Sequence, residues 1–581
     1  MGLTSSLYIG QSALAASQLA LQVTGNNLAN AATPGYHRQR VDQVPVQGQQ
    51  IGARQFVGRG VGIQEIRRLI DPALQARVRD SASSQGSALV SASLLEQIET
   101  ITSVSGAGGN DVSGLMGRFF NTFSELANNP ATPTARAAVI EQGAALAAHL
   151  RDVRQQLIGQ RDQVDAQLGD AVSQADSLIK QIANLNGAIT TAEGGAGGAN
   201  GNGNLRDQRD RLLTELGELM DITVCDKGNG SLDVLVNSTP IILGATARPL
   251  SFRLQTEDGE LRADVIAANS NEELLIGSGK IGGLLANRQG ALQQTIDDVD
   301  RLSSTLIFEV NKIHALGRPA QRIKDTTGTL QTATADQALA FNDPANTTFS
   351  KLDYKPVNGS IQVRLTDANG NSSISTIAID LDGLTNTGVP GTADDTSLAD
   401  LAAALDAVPN LNAQITPAGE LRVFTDAGYD VSFAADSSGV LAVLGVNSFF
   451  TGKDGTDIGV RSDLRTDPTR LTIGSDDGKN EAALAIAGLR IKKLDSITGQ
   501  SLNDLWSGSV GRNAVALQSA NSKLESISTV RASLEAQEAA LSGVSTDEES
   551  INLLTYQQQY QGAARFISVV NDMTQILLQL V

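Results

Sequence analysis

One cysteine in 581 residues, Cys225, excludes an internal disulfide framework and any metal cage built on thiolates. Three histidines, His37, His149 and His314, stand too far apart along the chain to form a local metal motif. Aromatic residues make up 3% of the chain, too few for aromatic-lined ligand pockets to dominate it. Bases are outnumbered, 44 Lys and Arg against 63 Asp and Glu, and the net charge of −19 argues against a protein that neutralises nucleic-acid phosphates. Nothing approaches a run of roughly 18 apolar residues, so no membrane insertion is expected. Residues 1–37 contain no Asp, Glu, Lys or Arg, so the basic start of a cleaved secretory signal is missing. The chain therefore reads as soluble, or as leaving the cell by a route that cleaves no signal.

Catalytic motifs are missing as well. There is no Gly-x-Ser-x-Gly and no His-Glu-x-x-His, and Cys225 has no histidine near it in sequence. Paired carboxylates of the glycosidase kind are defined in space rather than in sequence, but few aromatic rings are present to platform a sugar. Gly277-Ser278-Gly279-Lys280 lacks the earlier glycine of a phosphate loop, and Ile281 stands where a magnesium-binding Ser or Thr belongs; it reads as a turn before a helix. Asp380-Leu381-Asp382-Gly383 and Gly452-Lys453-Asp454-Gly455 resemble pieces of calcium loops without completing the ligand series, and read as solvated turns. His149 and His314 fall on long helical stretches as polar-face or interface residues. No catalytic residue, cofactor or metal ligand is expected, and the chain is not read as an enzyme.

What is present is helical periodicity at both ends. Leu7, Leu14, Leu21 and Leu28 recur every seven residues, beside a weaker row of Gly10, Ser17 and Thr24. A self-sufficient coiled coil fills both rows with apolar residues, so this helix needs a stripe supplied from elsewhere. It stops at Thr33-Pro34-Gly35-Tyr36, where proline ends the helix and glycine supplies the positive φ of a type II turn. At the other end Leu553, Tyr556, Tyr560, Ala563, Ile567, Val570, Leu577 and Val581 form a 3/4 stripe. A second stripe, Phe566, Val569, Met573, Ile576 and Leu580, runs beside it, and from Ile551 on only Arg565 and Asp572 are charged. A helix pair closing the monomer is one reading of these stripes. The second stripe would still face water in that arrangement, which favours a subunit interface.

Between the ends, Gly48 to Gly62 reads as a hairpin or loop, and helical patterning returns from Pro72. From Pro133 to about Ile189 the apolar spacing is sustained long enough for a rod of roughly 85 Å. A glycine-rich break over 194–204 and a short helix through Leu212, Leu213, Leu216 and Leu219 follow. Residues 221–266 switch to period two, 284–316 is helical again, and helix resumes from Asn480. Residues 323–480 carry 21 acids, 20 of them Asp, against 10 bases, and so hold −11 of the net charge. Strands are expected at Ile361–Leu365, Ile377–Leu381, Leu421–Phe424 and Val431–Phe433 around a helix at Ser397–Val408.

The fold class is α+β: a long, coiled-coil-like helical bundle formed by the N- and C-terminal regions, with inserted β-rich outer domains. The expected division is a terminal assembly domain (1–45 and 544–581), a long-helix bundle (46–220, 270–322 and 480–543), a small β-rich element (221–269) and an acidic β-rich insertion (323–479). The row Leu7, Leu14, Leu21 and Leu28 is expected to pack on Leu553, Tyr556, Tyr560, Ile567, Val570 and Leu577, and the pair to pack laterally in a ring.

The run Asn26-Asn27-Leu28-Ala29-Asn30-Ala31-Ala32-Thr33-Pro34-Gly35-Tyr36 resembles the N-terminal signature of bacterial flagellar rod, hook and hook-associated proteins, with Ala32 where the family often has Asn. Asp547-Glu548-Glu549, followed by Leu553-Leu554-Thr555-Tyr556-Gln557-Gln558-Gln559-Tyr560-Gln561, resembles the other end of the same proteins. The resemblance makes Asn30, Thr33, Pro34, Gly35 and Tyr36 a family signature turn. It implies a structural axial subunit of the flagellum, exported through the flagellar type III apparatus, whose ends fold into an inner helical tube on assembly. It further implies a homo-oligomeric ring at the hook–filament junction, outside the cell. The implied partners are the hook protein, a second hook-associated junction protein and an export chaperone on the C-terminal region. A hook or distal-rod subunit is the alternative within the family, and a secreted adhesin or glycan-active protein the alternative outside it.

Overall fold

The computed structural model describes residues 3–52, 55–102, 111–193, 203–257, 260–385, 387–475 and 479–579. In chain order the helices are α1 (Leu3–Ala29), α2 (Pro72–Thr102), α3 (Val112–Asn128), α4 (Pro133–Glu193), α5 (Gly203–Leu219), α6 (Gly279–Asn287), α7 (Gln293–His314), α8 (Thr347–Ser350), α9 (Leu398–Asp406), α10 (Val440–Leu444), α11 (Ser462–Thr466), α12 (Glu481–Gly488), α13 (Leu502–Ser542) and α14 (Thr546–Gln579). The glycine-rich break expected over 194–204 lies outside the described residues as far as 202; Gly203 and Asn204 open α5. Leu580 and Val581 of the C-terminal stripes also lie outside them.

The chain forms two compact units. The first comprises 1–94, 164–289 and 517–581, the second 95–163 and 290–516. In the first unit, Gln39–Pro45 pairs antiparallel with Val61–Arg68 just after α1. Residues 223–247 form a four-stranded meander in sequence order, and Leu250–Glu257 pairs with Glu260–Ala267 in a hairpin. Leu232, Val234 and Val236 bury one face of their strand at period two, and Asp233 on the other face is buried too, held by Lys227 and the Gly244 amide. The helix expected over 284–316 begins earlier, at Gly279, and opens into a π turn at Arg288–Leu292 before α7. Arg288, 1% exposed, explains the widened turn: it pairs with Asp165 and donates to the Leu261 carbonyl oxygen at 2.7 Å.

In the second unit Gly359–Asp367 lies between Ser372–Ile379 and Tyr429–Asp436, all antiparallel. Ile361, Val363 and Leu365 point inward at period two and join Leu398, Leu401 and Leu405 of α9 in one core. The Ser397 hydroxyl and Asp400 carboxylate make a reciprocal capping box that starts α9. The strand expected over Ile377–Leu381 stops at Ile379 because the Asp380 amide leaves the ladder for Thr396 Oγ1, 2.9 Å away. The scarce aromatic residues are concentrated: Phe119 of α3 packs against Phe449 and Phe450, and Phe123 against Phe449, with ring centroids 5.5–5.8 Å apart. His314, expected on a polar or interface position, is fully buried instead. It stays neutral because burial pushes its pKa down to about 4, with Nδ1 bonded to the Asn447 carbonyl oxygen and Nε2 accepting from the Thr472 amide.

Candidate functional site

The two terminal helices α1 and α14 pack together within the first unit. The buried positions of α1 are Gly10, Ala16, Ser17, Ala20, Val23, Thr24 and Asn27. The row the sequence reads as weak, Gly10, Ser17 and Thr24, therefore forms the buried seam. A Cβ on Gly10 would stand 2.7 Å from Ile567 Cγ1 and 3.1 Å from Phe566 Cδ1, so the closest approach of the helices depends on that glycine. Leu7, Leu14 and Leu21 flank the seam half-buried, and Leu28 is exposed. On α14, Ala563 and Val570 are buried, Leu553, Tyr556 and Ile567 are half-buried, and Tyr560 and Leu577 are exposed. Tyr556 packs on the small core of Ala20, Val23 and Val41.

Beside that seam an apolar stripe faces outward: Phe566, Val569, Met573 and Ile576 are 44%, 55%, 51% and 57% exposed. These side chains recur at 3/4 spacing on one face of a helix. Leu577 and Leu578 widen the patch.

The signature turn sits at one end of the pair and is tied to both helices by buried polar groups. The Tyr36 amide donates to the Thr33 carbonyl oxygen at 3.2 Å, and Gly35 has φ +75°, the geometry of the expected turn. Asn30 donates to the Asn26 carbonyl oxygen at 2.9 Å, and Thr33 Oγ1 donates to Asn30 Oδ1 at 3.3 Å; Pro34 lies exposed at the tip. Asn27, 1% exposed, donates to the Gln39 carbonyl oxygen at 2.8 Å and to Glu549 Oε2 at 3.1 Å, although 522 positions separate it from Glu549. Its Oδ1 accepts from the Tyr36 hydroxyl at 2.9 Å and the Gln39 amide at 3.0 Å. Arg38 Nε donates to Glu549 Oε1 at 2.8 Å, and Arg38 Nη1 to Glu548 at 2.6 Å. The two acidic residues at the start of α14 thereby neutralise the cation that follows the turn.

A second knot lies beside this clasp. His37 Nδ1 is 2.7 Å from Asp207 Oδ1, and Arg68 Nη1 bridges Asp207 and Asp210 at 2.7 and 2.8 Å. Burial works to lower the His37 pKa, but hydrogen bonds to Asp207 and Glu538 outweigh it and raise the pKa to about 9. Burial, with the charges of Asp207 and Glu549, pushes the Tyr36 hydroxyl up to about 12. His37, Asp207 and Asp210 converge closely enough to be considered as metal ligands. The Arg68 guanidinium already supplies the positive charge there, so the cluster is an ion-pair network.

Asn27, Glu548 and Glu549 fall within the terminal signatures with no role that their sequence context assigns, and Arg38 and Asp207 fall outside every motif. The available signal was the only acidic triplet at the head of a charge-poor helix, which calls for a cation from elsewhere.

The description "Flagellar hook-associated protein FlgK helical domain" matches residues 95–330. "Flagella basal body rod protein" matches 7–37, and "Flagellar basal body rod FlgEFG protein C-terminal" matches 538–580. Over 581 residues the chain is 28% identical to flagellar hook-associated protein 1 of Salmonella typhimurium, covering 98% of both. It is 27% identical to the Escherichia coli protein of the same name, again over 98% of each. A Bacillus subtilis relative of that name is 31% identical over 46% of this chain and 54% of its own. The solved structure of a flagellar hook junction protein from Burkholderia pseudomallei aligns with a TM-score of 0.49 and 16% identity, covering 80% of this chain and all of that one.

Proposed function

Since the chain belongs to the flagellar hook-associated protein 1 family, a family of structural axial components of the flagellum, we propose that it builds the ring joining hook to filament. The observation that carries this reading is the outward-facing stripe of Phe566, Val569, Met573 and Ile576 beside an already satisfied seam. A helix that has found one partner and still presents a continuous apolar face is suited to a second partner. In the ring, neighbouring copies cover that stripe together with the flanking Leu7, Leu14, Leu21 and Leu28. Hook protein lies on one side and a second hook-associated junction protein on the other, outside the cell. Before assembly the same C-terminal face is the one an export chaperone shields. The role is mechanical, with no catalytic step.

The test is electron microscopy of a deletion strain, with flagellin assayed in the medium. Bare hooks and flagellin lost to the medium are expected. Absent hooks would move the protein down to the hook or distal rod, and normal filaments would restore the adhesin reading. Complementation with a Leu14→Asp, Leu21→Asp double variant is expected to leave junctions unbuilt; normal junctions would overturn the interface assignment.

A further inference from the structure

Between the strand Ser372–Ile379 and α9, the chain folds Asp395 back beside Asp380 and Asp382, the two carboxylates of the Asp380-Leu381-Asp382-Gly383 run. Asp380, Asp382 and Asp395 each offer an oxygen, and these atoms all lie within 4.8 Å of one another. The fold holds them there. The Thr396 amide donates to the Asp380 carbonyl oxygen at 2.7 Å, the Gly391 amide to the Gly383 carbonyl oxygen at 2.9 Å, and the Gly383 amide to Asp395 Oδ2 at 3.2 Å. Asp380 and Asp382 face solvent, whereas Asp395 is 3% exposed.

The buried carboxylate is only half satisfied. Its Oδ2 accepts from Gly383 and, at 2.6 Å, from Asn342 Nδ2, while its Oδ1 is buried with no hydrogen-bond partner. Asn342 Oδ1, on the amide that holds Asp395, is likewise buried and unpartnered. Among the described residues no Lys or Arg forms an ion pair with Asp380, Asp382 or Asp395. A buried carboxylate oxygen with no donor is unfavourable, and two further carboxylates beside it add repulsion. One cation in their midst removes both costs.

We propose that Asp380, Asp382 and Asp395 form a calcium site. The donors are all oxygens, which selects a hard cation. Calcium accepts irregular oxygen sets at about 2.3–2.6 Å, whereas magnesium demands a near-ideal octahedron at about 2.0–2.1 Å, and one buried carboxylate with two exposed ones suits the less demanding ion. The ligand series that Asp380-Leu381-Asp382-Gly383 leaves unfinished in sequence is extended in space by Asp395. Two exposed ligands leave room for water, and the site belongs with weak extracellular calcium modules of Kd about 0.1–1 mM. Bound calcium ties the end of the strand to the residues that lead into the α9 capping box.

The test is calorimetric titration of the full-length chain with calcium chloride in chelator-treated buffer, with hydrogen exchange followed over 379–383 and 391–397. The expected result is saturable binding and slowed exchange in those two segments, with magnesium at least tenfold weaker. Asp382→Asn keeps the oxygen that accepts from the Leu384 amide, so the fold is retained; it is expected to weaken calcium at least tenfold, as is Asp395→Asn. No binding at 10 mM calcium, unchanged affinity in Asp382→Asn, or protection confined to other segments would each overturn the assignment. Equal affinity for magnesium would overturn the choice of calcium.

Discussion

His37 shows how a single side chain sets a pH dependence. Its ring lies between Asp207 and Glu538, with the Gln75 amide 2.9 Å from Nε2. Arg68 is the opposing cation nearby, and Tyr36 titrates only near 12, outside the relevant window. The folded pKa of about 9 is above the ordinary value of 6.5. The stabilisation is therefore fully present below about pH 6.5 and lost as pH rises through about 9. Its size is on the order of 3 kcal/mol at most. Thermal unfolding of the wild type and His37→Gln should differ most near pH 6 and converge towards pH 10; a gap independent of pH would show that the imidazolium is not the stabilising species. None of this was legible in the sequence, where His37 is one residue after a turn. Its partners come from α5 and α13, and no local spacing announces a contact made only by tertiary packing. The Gly35 conformation, in contrast, was readable, because a Pro-Gly pair leaves the backbone few alternatives.

At the scale of elements, the pairing of α1 with α14 inverts a natural assumption about side-chain size. Heptad leucines invite assignment to the seam, yet the glycine, serine and threonine row is the buried one. Small residues let two helix axes approach, and the larger leucines then close over the flanks. Gly10→Leu is expected to force the helices apart at Ile567 and Phe566 and to cost about 1–3 kcal/mol. Hydrogen exchange of α14 amides should accelerate, while the core around Ile361, Leu401 and Phe433 keeps its protection. Unchanged α14 exchange would mean that the close approach at Gly10 is not needed for pairing. The existence of both helices, and the second stripe on α14, followed from periodicity alone. Which face meets which partner did not, because periodicity fixes the faces of one helix and says nothing of the distance between two. The π turn after α6 was hidden for a similar reason: it answers to Asp165 on another helix.

For the molecule as a whole, the division of the chain into two compact units predicts that damage in one leaves the other folded. Glu549 belongs to the first unit, where it satisfies Asn27 and Arg38 together. Glu549→Ala leaves a buried amide and a partly buried guanidinium short of a partner and is expected to cost about 3–5 kcal/mol in that unit. Hydrogen exchange across α1, Gln39–Pro45 and α14 should rise, with protection in the antiparallel strands 359–379 unaltered. Loss of protection in both units would show that they unfold together. The helix–β–helix order of the sequence made a meeting of the ends legible at this scale, and the Asp-rich composition marked the inserted strands; the residues that lock the ends were not. The Asn27–Glu549 bond also has a temporal consequence. Closing a loop of 522 residues from unstructured chain costs roughly 5 kcal/mol in entropy. That cost falls only after the intervening helices and strands have collapsed and drawn the ends together. The clasp is thus expected to close late in folding and not to nucleate it: a destabilised clasp should leave the folding rate of the interior nearly unchanged and speed release of the ends.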